Sequence, residues 1–395
     1  MRSRTASRLL DHLRGRRHAM VGLLERLAVL ESPSKDPAAQ LRVQSILQQE
    51  FRRMGFRVRR VRGRSTGGSL LAVPEERKPG EPLQLLLGHC DTVWPVGTLD
   101  RMPVVCRGGR LYGPGVFDMK GGLVVMVFAL EALRSVGCEP SVSPVVFVNS
   151  DEEIGSPEST PHIRRLARAS DRVYVLEPAL GPSGKLKTAR KGGGHFLVRI
   201  MGKAAHAGLE PEKGASAILE LSHVIQELYA LNDPARGITV NVGMIDGGVR
   251  PNVVAPESTA TVDVRILSME DGRRVERAIR NLRARTPGTR LMVEGGINRP
   301  PLERTPRNRR LWEAACEAAS ELGLEVEEAT AGGGSDGNTA SLYAPTLDGL
   351  GPVGDGAHAD REHVEVDSLV ERSALLARLL VEPRLGNSAR LHSSA

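Results

Sequence analysis

Aromatic residues are scarce in this chain, which has 395 residues and only 3% phenylalanine, tyrosine and tryptophan. The core must therefore be built mainly from leucine, valine, isoleucine and alanine. The net charge of +7 suggests a polyanionic partner. Proteins that bind single-stranded nucleic acid stack its bases on aromatic side chains, however, and this chain offers few of them. We therefore expect no nucleic-acid partner.

Cysteine is also rare, and no two of the four residues have the spacing of a paired motif: Cys90, Cys106, Cys138 and Cys316. This spacing argues against a disulfide framework and against a zinc-finger pattern. Unpaired cysteines are typical of a reducing compartment, so we expect a cytoplasmic protein.

Long apolar runs are missing as well. A membrane span needs about 20 consecutive apolar residues, and no run in this sequence approaches that length. The first apolar stretch, residues 19–24, is interrupted by Glu25 and is too short for the core of a secretory signal. We therefore expect neither export nor a membrane partner.

The remaining composition is that of a globular protein, with 40% apolar and 26% charged residues. The chain is more than twice as long as a usual domain, so two domains are expected. Leucines at helical spacing predict an amphipathic helix over residues 1–30 and a second helix over 40–54. Residues 57–64 are rich in arginine, partly alternate with valine, and predict an edge strand with a charged face.

Three short runs are continuously apolar: residues 83–87, 144–148 and 173–176. Runs of this length predict strands that are buried on both faces of a mostly parallel sheet. An apolar helix is predicted at residues 121–136, between the first and the second strand. The fold class is therefore α/β, a mostly parallel mixed sheet flanked by helices.

The middle of the chain has a different pattern. Strands predicted at 195–201, 238–244, 259–267 and 290–294 alternate with helices predicted at 215–231 and 270–285. The order β-α-β-β-α-β is that of a ferredoxin-like α+β unit. We therefore predict a main domain in two parts, residues 1–191 and 297–395, and an inserted α+β domain at residues 192–296.

Potential metal ligands follow each of the three apolar runs. His89 and Asp91 follow the first run, Glu152 and Glu153 the second, and Glu177 the third. Sites in open α/β sheets collect at the carboxyl ends of strands, so we expect these side chains to lie close together. Clustered carboxylates without cations would have raised pKa values, which favours a bound metal.

Two further candidates lie elsewhere in the sequence. Asp118 is in a glycine-rich stretch just before the predicted helix, where it could cap that helix or bridge two cations. His358 lies far along the chain. Two histidines, three carboxylates and one spare glutamate suit a pair of zinc ions about 3.5 Å apart, with cobalt or manganese as alternatives.

In this order, the motifs resemble the co-catalytic zinc exopeptidases, a family that includes glutamate carboxypeptidase, aminoacylase and succinyl-diaminopimelate desuccinylase. The sequence Gly-His-Cys-Asp-Thr-Val-Trp-Pro at residues 88–95 is nearest the glutamate carboxypeptidase branch. The resemblance runs from about residue 32 to residue 380.

The resemblance implies a role for each candidate of the main domain. It implies that Glu152 is the general base, which takes a proton from the attacking water, and that Asp91 supports His89. His89 and Glu177 would bind one ion, and Glu153 and His358 would bind the other. Asp118 would bridge the two ions. The implied metal ligands are His89, Asp118, Glu153, Glu177 and His358.

The resemblance also implies roles in the inserted domain, as a lid and as the surface of a homodimer. His206 matches a lid histidine that reaches the substrate carbonyl, often from the partner subunit, and would stabilise the oxyanion there. From the residues alone, His206 is just a loop histidine. Arginines suit a terminal carboxylate of the substrate. The implied substrate-binding residues are His206, Asn252, Arg265 and Arg299, and residues 332–338 look like the glycine-rich substrate loop of the family.

The expected activity is therefore hydrolysis of an amide or peptide bond next to a free carboxylate, as in a glutamate carboxypeptidase. The substrate would be a small peptide or an N-acyl amino acid, and the cofactor two zinc ions. A deacylase or a desuccinylase of the same family is an alternative, because the same metal site would serve it. A noncatalytic binding protein on this fold is a remote alternative.

Overall fold

A computed structural model describes residues 4–385 of the chain. It contains sixteen strands within that range: β1 Phe56–Val61, β2 Ser69–Pro74, β3 Leu83–His89, β4 Val105–Arg107, β5 Arg110–Tyr112, β6 Ser143–Asn149, β7 Ser170–Val175, β8 Leu186–Arg190, β9 Gly192–Met201, β10 Thr239–Gly247, β11 Glu257–Ile266, β12 Arg290–Arg299, β13 Glu328–Ala331, β14 Thr346–Leu347, β15 Gly354–Asp355 and β16 His363–Glu365. The same range contains ten α-helices: α1 Arg4–Gly15, α2 Arg17–Ala28, α3 Pro37–Arg53, α4 Gly121–Ser135, α5 Thr160–Ala169, α6 Ala217–Tyr229, α7 Met269–Arg280, α8 Pro306–Leu322, α9 Asp336–Ala340 and α10 Val366–Leu380.

The described residues divide into two compact units. Unit 1 comprises residues 4–188, 304–331 and 335–385, and unit 2 comprises residues 189–303 and 332–334. The predicted inserted domain, residues 192–296, falls within unit 2. Unit 1 is built on a six-stranded sheet in the order β1-β2-β6-β3-β7-β14.

The central strands of this sheet are parallel, as predicted. Strand β3 pairs in parallel with β6 on one side and with β7 on the other, and β7 pairs in parallel with β14. The strands β1 and β2 join antiparallel at one edge. The arginine-rich segment is therefore the edge strand that the sequence predicts.

Helices cover both faces of the sheet. Alternate residues of β6, Val146 and Val148, pack into the core formed with α1, α2, α4 and α10. The intervening residues, Val145 and Phe147, pack on the other face against α5 and α9. Burial on both faces explains why these strands are continuously apolar rather than alternating.

Unit 2 has its own core and a four-stranded antiparallel sheet in the order β10-β11-β9-β12. Helices α6 and α7 connect the strands, and their apolar faces share the core with residues of β9 and β11 such as Phe196 and Val262. This order and these connections are those of the predicted ferredoxin-like unit, which the structure confirms.

One predicted helix is wrong in its extent. The helix expected over residues 1–30 is two helices, α1 and α2, with a break at Arg16; residues 1–3 lie outside the described residues. Gly15 precedes the break and weakens the helix there. The break lets Leu9 and Leu13 of α1 and Leu24 of α2 all pack into one core.

Among residues 4–385, each helix is too short or too polar to span a lipid bilayer.

Candidate active site

The ends of the three apolar strands meet because β3 lies between β6 and β7 in the sheet. His89 is the last residue of β3 and is buried. Glu152 and Glu153 lie in a single helical turn, Glu152–Ile154, just beyond the end of β6. Glu177 follows β7 by two residues and is also buried.

Two ligand sets share one aspartate. The Nε2 atom of His89 lies 3.4 Å from Oδ1 of Asp118 and 3.4 Å from Oε1 of Glu177. The Nε2 atom of His358 lies 3.4 Å from Oδ2 of Asp118 and 3.3 Å from Oε2 of Glu153. Each oxygen of Asp118 therefore faces a different histidine, which is the arrangement of a bridging carboxylate.

These distances fit metal ligation. Ligand atoms about 2.0–2.1 Å from a tetrahedral zinc ion lie about 3.3–3.4 Å apart, which matches all four separations. Nε2 of His89 and Oε1 of Glu153 are buried and have no hydrogen-bond partner. Buried polar atoms without a partner are costly, so the residues present fit a pair of cations.

The electrostatics of the site favour positive charge. Burial lowers the pKa of His89, but Asp118, Asp91 and Glu177 raise it more, and the result is well above its ordinary value. Asp118 and Glu153 raise the pKa of His358 to about 10. Although burial opposes the change, the two histidines hold the pKa of Asp118 far below its usual range. At this site, the carboxylates of Asp118, Glu153 and Glu177 outnumber the two histidines that could carry a positive charge.

Asp91 is fully buried behind the site. Its carboxylate accepts hydrogen bonds from the backbone N–H groups of Glu152 and Glu153, at 3.3 Å and 3.2 Å, and from the hydroxyl of Ser34 at 2.8 Å. It therefore holds the turn that carries both glutamates, in addition to facing His89.

The same residue orients His89. Nδ1 of His89 lies 3.0 Å from the backbone carbonyl oxygen of Asp91 and 3.4 Å from its Oδ1. A carbonyl oxygen can only accept, so Nδ1 carries the proton and neutral His89 presents a lone pair at Nε2. The support predicted for His89 thus has a geometric basis, with a larger share of the contacts on the glutamate turn.

The residues following the glycines of the 332–338 loop are buried in unit 1 rather than exposed. Ser335 caps α9 and donates to Asp348, and Asp336 accepts from Asn149 at 2.6 Å and from Ser156. Asn149 is the last residue of β6, so this part of the loop is hydrogen-bonded to the end of that strand.

Sequence reasoning missed Glu362, which is buried and accepts four hydrogen bonds around Asp118. Nothing in its local sequence distinguishes it from a surface glutamate, because it follows no apolar run. The one available signal is its position four residues after His358.

In unit 2, the structure brings His206 and Asn252 together. The amide of Ala207 donates to the carbonyl of Asn252 at 3.0 Å, and His206 pairs with Val253 in a short bridge. Nδ1 of His206 accepts from the amides of Gly208 and Leu209. The proton of the neutral ring is therefore on Nε2, which leaves an exposed N–H donor.

The two candidate arginines lie in one row across the sheet of unit 2. Arg265 of β11 and Arg299 of β12 both stand opposite Gly193 of β9. Arg265 is held by Asp263 at 2.9 Å. Side chains directly opposite one another share a face of a sheet, and Gly193 places no side chain between the two guanidinium groups.

Comparison with known proteins agrees with these observations. Residues 85–382 match the family model described as Peptidase family M20/M25/M40. Carboxypeptidase G2 of Pseudomonas sp. (strain RS-16) is 31% identical over 376 residues, which cover 92% of this chain and 89% of that protein. Succinyl-diaminopimelate desuccinylase of Bordetella pertussis (strain Tohama I) is 27% identical, with 85% of this chain and 91% of that protein covered.

Among solved structures, the YXEP protein of Bacillus subtilis, described as a dinuclear metal-binding peptidase of the M20 family, has a similar fold. The TM-score is 0.68 at 15% identity, and the match covers 93% of this chain and 98% of that one. Since the family model spans well over half of the sequence, the chain belongs to Peptidase family M20/M25/M40 and is a hydrolase of the metallopeptidase class.

Proposed function

We propose that this protein is a di-zinc exopeptidase that removes a residue with a free carboxylate from a small peptide or an N-acyl amino acid, most nearly as a glutamate carboxypeptidase. The observation that carries the proposal is the set of four ligand separations of 3.3–3.4 Å around Asp118. The similarity to carboxypeptidase G2 favours the carboxypeptidase activity. Four unpaired cysteines support a cytoplasmic location.

His89, Asp118 and Glu177 would hold one zinc ion, and His358, Asp118 and Glu153 the other. Bound zinc supplies a Lewis acid that polarises the scissile carbonyl and lowers the pKa of water. Glu152 lies within reach of this chemistry, since its carboxylate is within 4.8 Å of ligand atoms of both His89 and Glu177.

In the proposed reaction, a carboxylate oxygen of Glu152 takes a proton from the attacking water. The water oxygen forms a bond to the carbonyl carbon, and Glu152 then delivers the proton to the amine as the amide C–N bond breaks. Nε2–H of His206 would donate to the oxygen that becomes negative in the tetrahedral intermediate. The tautomer fixed by Gly208 and Leu209 supports this role.

Asn252, Arg265 and Arg299 would bind the substrate. The paired row of Arg265 and Arg299 supports recognition of a carboxylate, for which guanidinium groups are well suited. A desuccinylase is the second candidate, favoured by the similarity to succinyl-diaminopimelate desuccinylase. Its substrate also carries carboxylates, so the arginine row serves either activity.

The decisive experiment is a hydrolysis screen of the zinc-loaded protein. The panel would contain acyl-glutamates, acyl-amino acids with neutral side chains, dipeptides and succinyl-diaminopimelate. The matched control is Glu152→Gln, which keeps the size of the side chain but cannot take a proton. We expect release of glutamate by the wild type and a loss of at least about 100-fold in the variant, with both zinc ions retained.

Each outcome is informative. Turnover confined to succinyl-diaminopimelate would move the assignment to the second candidate and leave the role of Glu152 intact. Equal rates for wild type and Glu152→Gln would refute the proposed general base. Failure of the wild type to bind two equivalents of zinc would refute the metal centre.

We also propose a homodimer through unit 2. Strand β10 is an edge of its sheet and exposes Met244 and Ile245, which are 70% and 65% accessible. Helix α6 adds exposed Ile218 and Leu219. An open edge with apolar neighbours suits a second copy of the same strand.

Sedimentation of the wild type should give the mass of a dimer, and sedimentation of Ile245→Glu should give the mass of a monomer. A monomeric wild type would contradict the proposal.

A further inference from the structure

We propose that Glu362 is a positioning residue for the metal centre, which it serves by fixing the backbone that carries Asp118. The inference rests on the proposed function in one respect, the two-metal centre. Glu362 is fully buried in unit 1, and it is not one of the residues that would ligate metal.

Four donors converge on its carboxylate. Oε2 accepts from the indole N–H of Trp94 at 2.7 Å and from the amide of Gly115 at 2.9 Å. Oε1 accepts from the amides of Phe117 and Asp118, at 2.9 Å and 3.0 Å. Three of the four donors, the amides of Gly115, Phe117 and Asp118, therefore lie on the short segment that ends at the bridging aspartate.

The arrangement requires a carboxylate rather than an amide. Each oxygen of Glu362 faces two N–H donors, and only an ionised carboxylate can accept at both ends. In glutamine, one end of the side chain is an NH₂ group. In one orientation of the amide, its NH₂ group would face the N–H groups of Phe117 and Asp118. In the other orientation, it would face the N–H groups of Trp94 and Gly115.

The backbone of Glu362 adds a link to the other ligand segment. Its amide donates to the carbonyl of Ala359, and its carbonyl accepts from Gly113. His358 immediately precedes Ala359. Glu362 thus connects the segment of His358 to the segment of Asp118. The side chains of His358 and Asp118 face each other in the proposed metal centre.

A bridging carboxylate is sensitive to small displacements, because its two oxygens must reach two ions at once. Residues that orient metal ligands typically change metal affinity about 10–100-fold when they are replaced. A residue with a purely structural role would instead lower the stability of the fold and leave the ion sites of the folded protein unchanged.

The test uses Co²⁺ as the probe, because its visible absorption reports the ligand geometry directly. Metal-free wild type, Glu362→Gln and Glu365→Gln would be titrated with Co²⁺ by absorption and by calorimetry. Glu365 is the matched control, since it lies three residues further on and pairs with Arg110 at the surface. Thermal unfolding of the metal-free proteins shows which of them are folded.

We expect wild type and Glu365→Gln to bind two Co²⁺ ions with the same spectrum. Folded Glu362→Gln should bind Co²⁺ at least 10-fold more weakly, with an altered spectrum, and at saturating metal it should lower kcat more than it raises KM. Wild-type affinity and spectrum in folded Glu362→Gln would overturn the inference. Failure of the wild type to bind two ions would instead refute the proposed metal centre.

If Glu362→Gln does not fold, Glu362→Asp decides the question. Aspartate keeps the charge but is shorter by one methylene, so it cannot reach all four donors. The inference then requires Co²⁺ binding that is several-fold weaker, with an altered spectrum. An unchanged Co²⁺ titration of Glu362→Asp would overturn it.

Discussion

Carboxylates of two kinds hold the site of unit 1 together. Asp118, Glu153 and Glu177 face the Nε2 atoms of the two histidines. The carboxylates of Asp91 and Glu362 instead accept hydrogen bonds from the surrounding backbone, and Asp91 also faces Nδ1 of His89. Of the residues that face the histidines, Glu153 and Glu177 could be predicted because each comes shortly after an apolar run. The second kind depends on which loops meet in space, which is why Asp91 was assigned only to His89 and Glu362 was missed.

Replacement of Asp91 by asparagine should weaken catalysis more than metal binding. An amide in place of the carboxylate would turn a donor toward Ser34 or toward the amides of the glutamate turn, and Glu152 would lose its orientation. We expect kcat to fall about 10–100-fold, measured with saturating zinc. Asp100→Asn, at an exposed position of the following loop, should match the wild type; an unchanged kcat in Asp91→Asn would contradict the role.

Glu158 gives unit 1 a stability that depends on pH. Burial opposes the effect, but Ser65, Arg64 and Thr66 donate to its carboxylate and lower its pKa from 4.5 to about 2. A lowered pKa stabilises the folded state above the unfolded value, and this contribution disappears as the pH falls from about 4.5 to about 2.

Glu158→Gln should therefore be less stable than wild type at pH 7, by about 1 kcal/mol. Chemical unfolding at pH 7, 5 and 3 would measure the difference between the two proteins. It should be constant between pH 7 and 5 and smaller at pH 3. A difference that does not shrink at pH 3 would exclude the ionised carboxylate as its cause.

At the scale of elements, strands were easier to predict than loops. A strand that is buried on both faces can be predicted from its own residues, because they are continuously apolar, as in β3, β6 and β7. The loop at 332–338 illustrates the opposite case, since its glycines look like a single substrate loop. In the structure, Gly332–Gly334 belong to unit 2, whereas Ser335 and Asp336 are buried in unit 1.

Gly333 and Gly334 of that loop are suited to a matched pair of substitutions. A methyl group on Gly334 would lie 2.5 Å from Cδ and 2.9 Å from an Nη atom of Arg299, whereas a methyl group on Gly333 would meet nothing within 4 Å. Since a flexible side chain can move aside, the substitution at Gly334 should displace Arg299 at little cost in stability.

We therefore expect Gly334→Ala to raise KM for a carboxylate substrate several-fold with an unchanged melting temperature. Gly333→Ala should leave both quantities as in the wild type. Steady-state kinetics and thermal unfolding of the two variants would check this. Equal KM values would show that Arg299 does not contact the substrate, or that its position is not set by Gly334.

At the scale of the whole molecule, the order of elements predicts more than any single element does. The ferredoxin-like unit follows from the sequence β-α-β-β-α-β, and the sheet order of unit 2 agrees with it. The same reasoning could not predict that α1 and α2 are separate helices, because their apolar spacing is nearly continuous. On either side of that break, both helices pack into one core with α4 and α10, which are distant in sequence.

All proposed metal ligands lie in unit 1, and unit 2 has a separate core, so metal should stabilise the two units unequally. A ligand that binds only the folded state, at a concentration of 1,000 times its dissociation constant, raises the free energy of unfolding by about 4 kcal/mol.

We expect chelation with EDTA to speed amide hydrogen exchange around residues 83–92, 113–122 and 355–362, while residues 192–300 keep their protection. Mass spectrometry of peptides with and without zinc would measure both regions in one sample. Equal loss of protection in the two units would mean that unit 2 also depends on the metal, and that its core is not sufficient to keep it folded.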